Sequence, residues 1–435
     1  MDLLLTHGYF LYEDEAEKRI MKPYPTLGIL YLSAYLKAKG FDVNVYDTTF
    51  KHKSDFNYYI GEVRPSIVGI YSNLMTKISV LEQIAYCKSK GCTVIVGGPD
   101  VPEYAEHYIR FGADVAVIGE GEATLQELLP AMINKKPLNT IAGIVFRNED
   151  GTISRTILRS LIPDLDSIPL PDRETIDISA YINTWKVHHG MGSVSLICAR
   201  GCPYTCTWCS RSVFGETHRR RSVKNVVDEI QLLIERYKPD MLWFADDVFT
   251  INHKWFHEFY EEMKRRSIRI PFECISRADR LNEDILQKMA ELGSFRIWYG
   301  SESGSQRILD AMQRRVTVEQ IREVTQLAKK YGIQTGLFVM LGYPGEEISD
   351  IEDTVYHLKL TNADTFLTTV AYPIKGTEFY REVSERIHPS SDWASITDRQ
   401  LKFSGRYSDR FYWFANRYLV NEVLQHTLSQ NGKQN

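Results

Sequence analysis

Strand-like and helix-like runs alternate along this chain in two separate series, and alternation of that kind leaves few folds open. In the first series the strand-like runs are Leu3–Thr6, Val43–Tyr46, Ile67–Tyr71, Thr93–Val96 and Val115–Ile118. Helical runs separate them. Over Leu27–Lys39, residues Leu27, Leu30, Tyr31, Ala34 and Tyr35 share one face, and Gly40 ends the run. Strands joined through helices lie parallel and need cover on both faces. The predicted class is therefore α/β, beginning with a doubly wound (Rossmann/flavodoxin-like) sheet over residues 1–140. Such sheets bind ligands beyond the carboxyl ends of their strands. The loops at those ends read Tyr71-Ser-Asn-Leu74, Gly97-Gly-Pro99 and Gly119-Glu-Gly-Glu122. Glycine there lets backbone approach a bulky ligand closely.

Residues 141–185 read as a hairpin and a linker. Asp150-Gly151 supplies the turn after Ile144–Arg147. Leu161–Pro171 carries three prolines without a period, the mark of an extended connection. The second series follows over residues 186–380, with strand-like runs at Val194–Cys198, Met241–Phe244, Phe272–Ile275, Phe295–Trp298, Thr335–Leu341 and Phe366–Val370. Between them, Val223–Tyr237 is the clearest helix, with Ser222 as its N-cap and Pro239 beyond its end. Six units are fewer than the eight of a closed barrel, so a partial, TIM-like (β/α)6 barrel is predicted, with its site at the strand C-termini. Residues 381–435 read as a short helical region. Its aromatic and basic stretch Phe403–Trp413 is read as packing on the barrel, with a substrate cover as the alternative.

Three of the seven cysteines fall in one loop directly after the first barrel strand: Cys202, Cys206 and Cys209. This C-x3-C-x2-C spacing can hold three irons of a four-iron cluster and leave the fourth open to bind a small molecule. A structural zinc site is the competing reading. It needs four closed ligands, and only His218, among arginines, could supply the fourth. The other cysteines are scattered, which fits a reducing compartment better than a disulfide framework. Trp208, before the last cysteine, is placed against the cluster or its ligand. Other strand ends bring Asp246 and Asp247, then Arg277 and Asp279, then Glu302, to the same mouth. Together they offer a cation for a carboxylate, acids for an ammonium and acceptors for ribose hydroxyls.

A net charge of −4 points to neither nucleic acid nor an anionic membrane. The one basic run, Arg219–Arg221, is read as a solvated helix start. No uninterrupted apolar stretch approaches membrane-spanning length, and the N-terminus has no basic leader, so a cytoplasmic chain is expected.

The cysteine loop, with Gly300-Ser-Glu-Ser-Gly304 and Gly342-Tyr-Pro-Gly-Glu346, resembles the radical S-adenosylmethionine (SAM) superfamily. The first domain resembles a cobalamin-binding domain. Together they resemble the cobalamin-dependent radical SAM enzymes, which include methyltransferases and the anaerobic magnesium-protoporphyrin ester cyclase. The resemblance covers roughly residues 1–380. It implies that Cys202, Cys206 and Cys209 ligate a [4Fe–4S] cluster whose open iron chelates SAM for reductive cleavage to a 5′-deoxyadenosyl radical. It implies SAM contacts from Trp208, Phe244, Asp246, Asp247, Arg277, Glu302 and Gly342. It implies cobalamin contacts from Ser72, Leu74, Gly97, Gly98, Pro99, Gly119, Glu120 and Gly121. The Asp-x-His-x-x-Gly motif that places a histidine on cobalt is missing, so cobalamin without a lower histidine is expected, and His7 has no assigned role.

The expected activity is methylation of an unactivated carbon of a small molecule, with an electron donor such as flavodoxin or ferredoxin. Alternatives are a cobalamin-dependent cyclase or ring-rearranging enzyme, a radical SAM enzyme on a vestigial first domain, and a non-catalytic cobalamin sensor. Methylthiotransferases are disfavoured, because Cys87 and Cys92 are the only cysteines before the linker. The catalytic residues that handle the substrate are not identified.

Overall fold

The computed structural model describes residues 1–388 and 392–431. Residues 389–391 and 432–435, which belong to the expected C-terminal region, lie outside the described residues.

The first sheet contains β1 (Leu3–His7), β2 (Val43–Tyr46), β3 (Ile67–Tyr71), β4 (Thr93–Gly97), β5 (Val115–Val117), β6 (Ile144–Arg147) and β7 (Ile153–Arg155). Its order is β2-β1-β3-β4-β5-β6-β7. The first five strands are parallel, and the β6–β7 hairpin closes the edge antiparallel. Alternation along the strands divides the core in two. Leu4, Val68, Ile70, Val94 and Val96 face helices Lys53–Val63, Lys77–Ser89 and Val101–Phe111. Leu3, Leu5, Ile67, Ile95 and Val117 face helices Leu27–Ala38 and Glu122–Ile133. This is the doubly wound arrangement, and the strand order reverses between β1 and β3, where such sheets open a ligand crevice.

The second sheet contains β8 (Ser193–Leu196), β11 (Met241–Phe244), β12 (Phe272–Ser276), β13 (Ser294–Glu302), β14 (Gln334–Leu341) and β15 (Thr365–Val370). All six strands are parallel and run in sequence order, as a partial barrel requires. Its outer face buries Leu196, Leu242, Phe244, Phe272, Ile297, Tyr299 and Leu337 under the helices. Helix Val223–Tyr237 starts where Ser222 accepts a hydrogen bond from the Asn225 N–H, and it ends at Lys238 in a left-handed conformation. Between β8 and that helix lies a ribbon of two short strands, β9 (Ala199–Arg200) and β10 (Arg219–Arg220), paired antiparallel around the cysteine loop.

The arginine run is thus no solvated helix start. Arg219 pairs with Glu120, Arg220 with Asp246 and Arg221 with Glu229, and all three acids are buried. The C-terminal helix Asp409–Asn431 lies against helix Ile348–Thr361, with Lys359 and Glu422 2.6 Å apart. In the Phe403–Trp413 stretch, Phe403 and Tyr412 are buried and Trp413 is exposed. Among the described residues no helix is long and apolar enough to cross a membrane.

Candidate active site

The two sheets face each other across one cavity of about 800 Å³. From the first domain it is lined by Tyr71 and Asn73, by Gly97-Gly98-Pro99, and by Gly119–Glu122. From the barrel it is lined by Cys202, Cys206, Trp208 and Cys209, and by Trp243, Asp247, Arg277, Glu302, Arg314 and Phe338. Residues predicted for two different ligands therefore share one space.

Cys206 is buried, Cys202 is half-buried, and Cys209 is open to the cavity. The enclosing protein pushes the Cys209 thiol up to about 12 and raises that of Cys202. Among the described residues no three His, Cys, Asp or Glu side chains come close enough together to hold a single metal ion. Cysteines that serve separate irons of a cubane have no need to. Two guanidiniums aim at the middle sulfur. The Arg277 and Arg314 Nη1 groups lie 3.7 and 3.8 Å from Cys206 Sγ. Arg277 also stacks 3.6 Å over the Tyr204 ring, bonds the Arg314 carbonyl at 2.8 Å and is braced by Asp279 at 2.8 Å. Both arginines are buried; Asp279 pairs with Arg277, while Arg314 Nε makes no hydrogen bond and meets Glu302 only at 3.8 Å, so the pair brings positive charge to the loop.

Glu302 ends β13 at a bulge between Gly300 and Glu302 and takes a left-handed φ of 57°. Elsewhere in the chain this conformation ends helices, as at Lys238, whereas Glu302 holds it at the end of a strand. The bulge turns the carboxylate toward the cavity. Burial pushes it up to about 7, against Arg314 and Arg277. Gly300 leaves space for these side chains, because a Cβ would come within 2.0 Å of Glu302 Oε1 and 2.6 Å of Arg314 Nη2 and would displace both.

Several predicted residues lie behind the wall. Phe244 belongs to the outer core, 4.4 Å from the Phe249 ring centroid. Asp246 accepts from the Cys198 and Ala199 N–H groups at 2.6 and 3.1 Å and pairs with Arg220. Burial raises its pKa and these partners oppose the rise. Asp246 thus fixes the start of the cysteine loop, while Asp247 faces the cavity. The reason is strand parity, which puts Trp243, Ala245 and Asp247 on one face and Phe244 and Asp246 on the other. Gly342 is covered by the C-terminal helix, since a Cβ would lie 3.1 Å from Tyr412. Ser72 is buried and bonds Tyr108, which donates to Asp100. It supports Gly98, whose Cβ position falls 2.3 Å from the Ser72 carbonyl. Leu74 is half-buried and forms no part of the cavity lining.

Glu120 reaches the cavity edge but is taken up by arginines. Arg200 Nη1 and Arg219 Nη1 lie 2.7 and 2.8 Å from its oxygens, and the Ile162 N–H donates to it at 2.7 Å. Burial alone would raise Glu120, but Arg219 and Arg200 outweigh it and hold it below the ordinary carboxylate range. His218 lies in the loop, and burial and Arg220 lower its pKa to about 4. His7 sits off the cavity, with its ring between Asp47 at 2.9 Å and Thr48 at 3.0 Å. Of the groups sequence reasoning missed, Arg200 and Arg314 matter most. Arg200 lies within the cysteine segment itself, but its partners Glu120 and Glu122 are far along the chain, and Arg314 lies outside the strand-end loops searched.

Residues 196–358 match the model of the radical SAM superfamily, and residues 19–129 match that of the B12 binding domain. An uncharacterized methyltransferase of Pyrococcus horikoshii is 29% identical over 92% of this chain and 90% of its own. The anaerobic magnesium-protoporphyrin IX monomethyl ester cyclase of Rubrivivax gelatinosus is 28% identical over 84% of this chain and 67% of its own. The fold is shared with the radical SAM methyltransferase TsrM of Kitasatospora setae, at a TM-score of 0.74 and 19% identity, covering 91% of this chain and 81% of that one. The two matching models assign cobalamin to the first sheet, and SAM with a four-iron cluster to the second. With both halves on one cavity, the chain belongs to the radical SAM superfamily, among the cobalamin-dependent enzymes that carry a B12-binding domain ahead of the barrel.

Proposed function

We propose that this protein is a methyltransferase that places a methyl group on an unactivated carbon of a small molecule. One observation carries the reading: the cysteine loop and the glycine rim line a single cavity, so two cofactors and a substrate would meet in one space. When bound, SAM at the cluster supplies a 5′-deoxyadenosyl radical and cobalamin supplies a carrier for the methyl group.

The residues present suit those groups. Cys202, Cys206 and Cys209 would hold the cluster, and Arg277 and Arg314 would balance its negative charge. Arg277, Glu302 and Asp247 would bind the carboxylate, amino and ribose groups of SAM, beside Trp208. Gly97, Gly98, Pro99, Gly119 and Gly121 would let the rim approach cobalamin closely, supported from behind by Ser72. Glu120, Asp246, Phe244 and Gly342 would act at one remove by shaping these loops. Tyr24, Trp243, Ile275 and Phe338 give the inner cavity an apolar lining that keeps water from a reactive carbon. An external one-electron donor such as flavodoxin or ferredoxin, and a cytoplasmic setting, belong to the same proposal.

A second reading is favoured by a specific finding. The anaerobic magnesium-protoporphyrin IX monomethyl ester cyclase of Cereibacter sphaeroides is 32% identical over 55% of this chain and 40% of its own, so radical cyclisation without methyl transfer is the rival.

Anaerobic reconstitution with iron, sulfide and hydroxocobalamin tests both. Iron near roughly four per chain, equimolar cobalt, and product mass increased by one methyl group from labelled SAM support the methyltransferase. Full cofactor content with 5′-deoxyadenosine but no label in any product favours the cyclase. Iron without cobalt overturns both.

A further inference from the structure

The ribbon that flanks the cysteine loop is tied to the first domain by buried charge. Arg200, two residues before Cys202, forks across two acids of the rim loop: Nη1 lies 2.7 Å from Glu120 and Nη2 2.6 Å from Glu122. Arg219, its partner across the ribbon, reaches Glu120 at 2.8 Å and the Ile162 carbonyl at 2.6 Å. Glu120 and Glu122 are 6% and 3% exposed. The Phe214 ring, from the loop the ribbon encloses, lies 5.6 Å from the Arg200 guanidinium and 5.9 Å from that of Arg219. Tyr31 lies 5.5 Å from Arg200. Beyond the cysteines, Ser212 donates to the Pro99 carbonyl of the other rim loop at 2.7 Å.

Two arginines and two glutamates balance in charge, and no one of them can leave without stranding another in a low-dielectric site. Hydrophobic contact would hold two domains together and still let them slide. A forked guanidinium fixes direction as well as distance. The strapped elements are the two that carry the cofactors: the rim loop Gly119–Glu122 and the loop of Cys202, Cys206 and Cys209.

We infer that Arg200 and Arg219, through Glu120 and Glu122, are positioning residues that set the separation and mutual orientation of the cobalamin and cluster sites. This rests on the two-cofactor reading proposed above. Methyl carriage and radical formation must serve the same carbon, so their spacing is a catalytic quantity.

The test uses the full chain, reconstituted anaerobically with iron, sulfide and hydroxocobalamin and reduced so that cob(II)alamin and the cluster are both paramagnetic. Pulsed electron paramagnetic resonance then reads their separation. The wild type is expected to give one narrow distribution. Arg200→Lys, which keeps the charge but loses the fork, is expected to broaden or shift it at unchanged iron and cobalt content. A narrow, unshifted distribution in Arg200→Lys with both metals in place overturns the inference. Where that variant loses a metal, Arg219→Lys decides by the same two outcomes, because Arg219 is the more exposed of the two. Wild-type protein that binds iron but no cobalt overturns the functional reading instead. The tie is then read by hydrogen exchange over residues 202–215, expected to be faster in Arg200→Lys, and equal rates overturn it.

Discussion

Glu346 closes the turn after β14, accepting the Gly342 N–H at 2.6 Å with one oxygen and leaving the other without a partner. Burial, with a smaller push from Asp350, raises it from 4.5 to about 7. Its folded pKa lies above its unfolded one, so its contribution to stability is complete below about pH 4.5 and is lost as pH rises through about 7. Glu346→Gln keeps an acceptor and removes the charge. It is expected to match wild type in thermal melts at about pH 5 and to exceed it at about pH 8, by on the order of 3 kcal/mol at most. A second residue-scale prediction concerns the cysteines. Cys206→Ala is expected to fold with an unchanged melt, reconstitute little iron and form no 5′-deoxyadenosine, as read by metal analysis and chromatography. At this scale the cysteines, Asp247, Arg277 and Glu302 were legible, because loop position alone brings them to the cavity. Phe244 and Asp246 were misread, although strand alternation after Trp243 already separates them from Asp247.

Among the elements, β13 depends most on a single residue. Its bulge holds a left-handed Glu302 beside a glycine whose Cβ position is taken by the Glu302 and Arg314 side-chain ends. Gly300→Ala is expected to displace the Glu302 and Arg314 side chains and to weaken SAM binding by at least about tenfold, roughly one lost hydrogen bond to a charged group. Circular dichroism should be unchanged, and equilibrium dialysis with SAM checks the loss. The helix Val223–Tyr237 was readable to the residue, because an N-cap serine and an apolar stripe are local signals. The β9–β10 ribbon was not. Each of its strands has two residues, too few for any period, and Glu120 lies far from Arg200 in sequence. Three adjacent arginines look solvated until the acids that meet them are known, and those acids come from three different elements.

At the scale of the whole molecule, the C-terminal region is a brace between domains. Lys77, 1% exposed, donates to the Trp393 carbonyl at 2.9 Å and lies 4.7 Å from the centroid of its ring. Tyr104 donates to Asp398 at 2.5 Å, and Asp398 also accepts the Lys375 N–H at 2.8 Å. Trp393→Ala is expected to destabilise the chain by about 3 kcal/mol and to quicken proteolysis in the linker, seen by timed digestion. Hydroxocobalamin should raise the melting temperature with increasing concentration, as any ligand selective for the folded state does. The overall architecture was legible, because alternating strands and helices permit little else. The docking of its halves was not, because docking is written in pairs of charges rather than in a pattern.

Those pairs limit how the molecule can be taken apart. Cut at the linker, the first half would present Glu120 and Glu122 without cations, and the second would present Arg200 and Arg219 without anions. Neither half is a module in the sense of a part that can be exchanged. A graft of this first domain onto a relative's barrel would have to bring the arginine ribbon with it, so a workable cut runs beyond the ribbon rather than through the proline-rich linker.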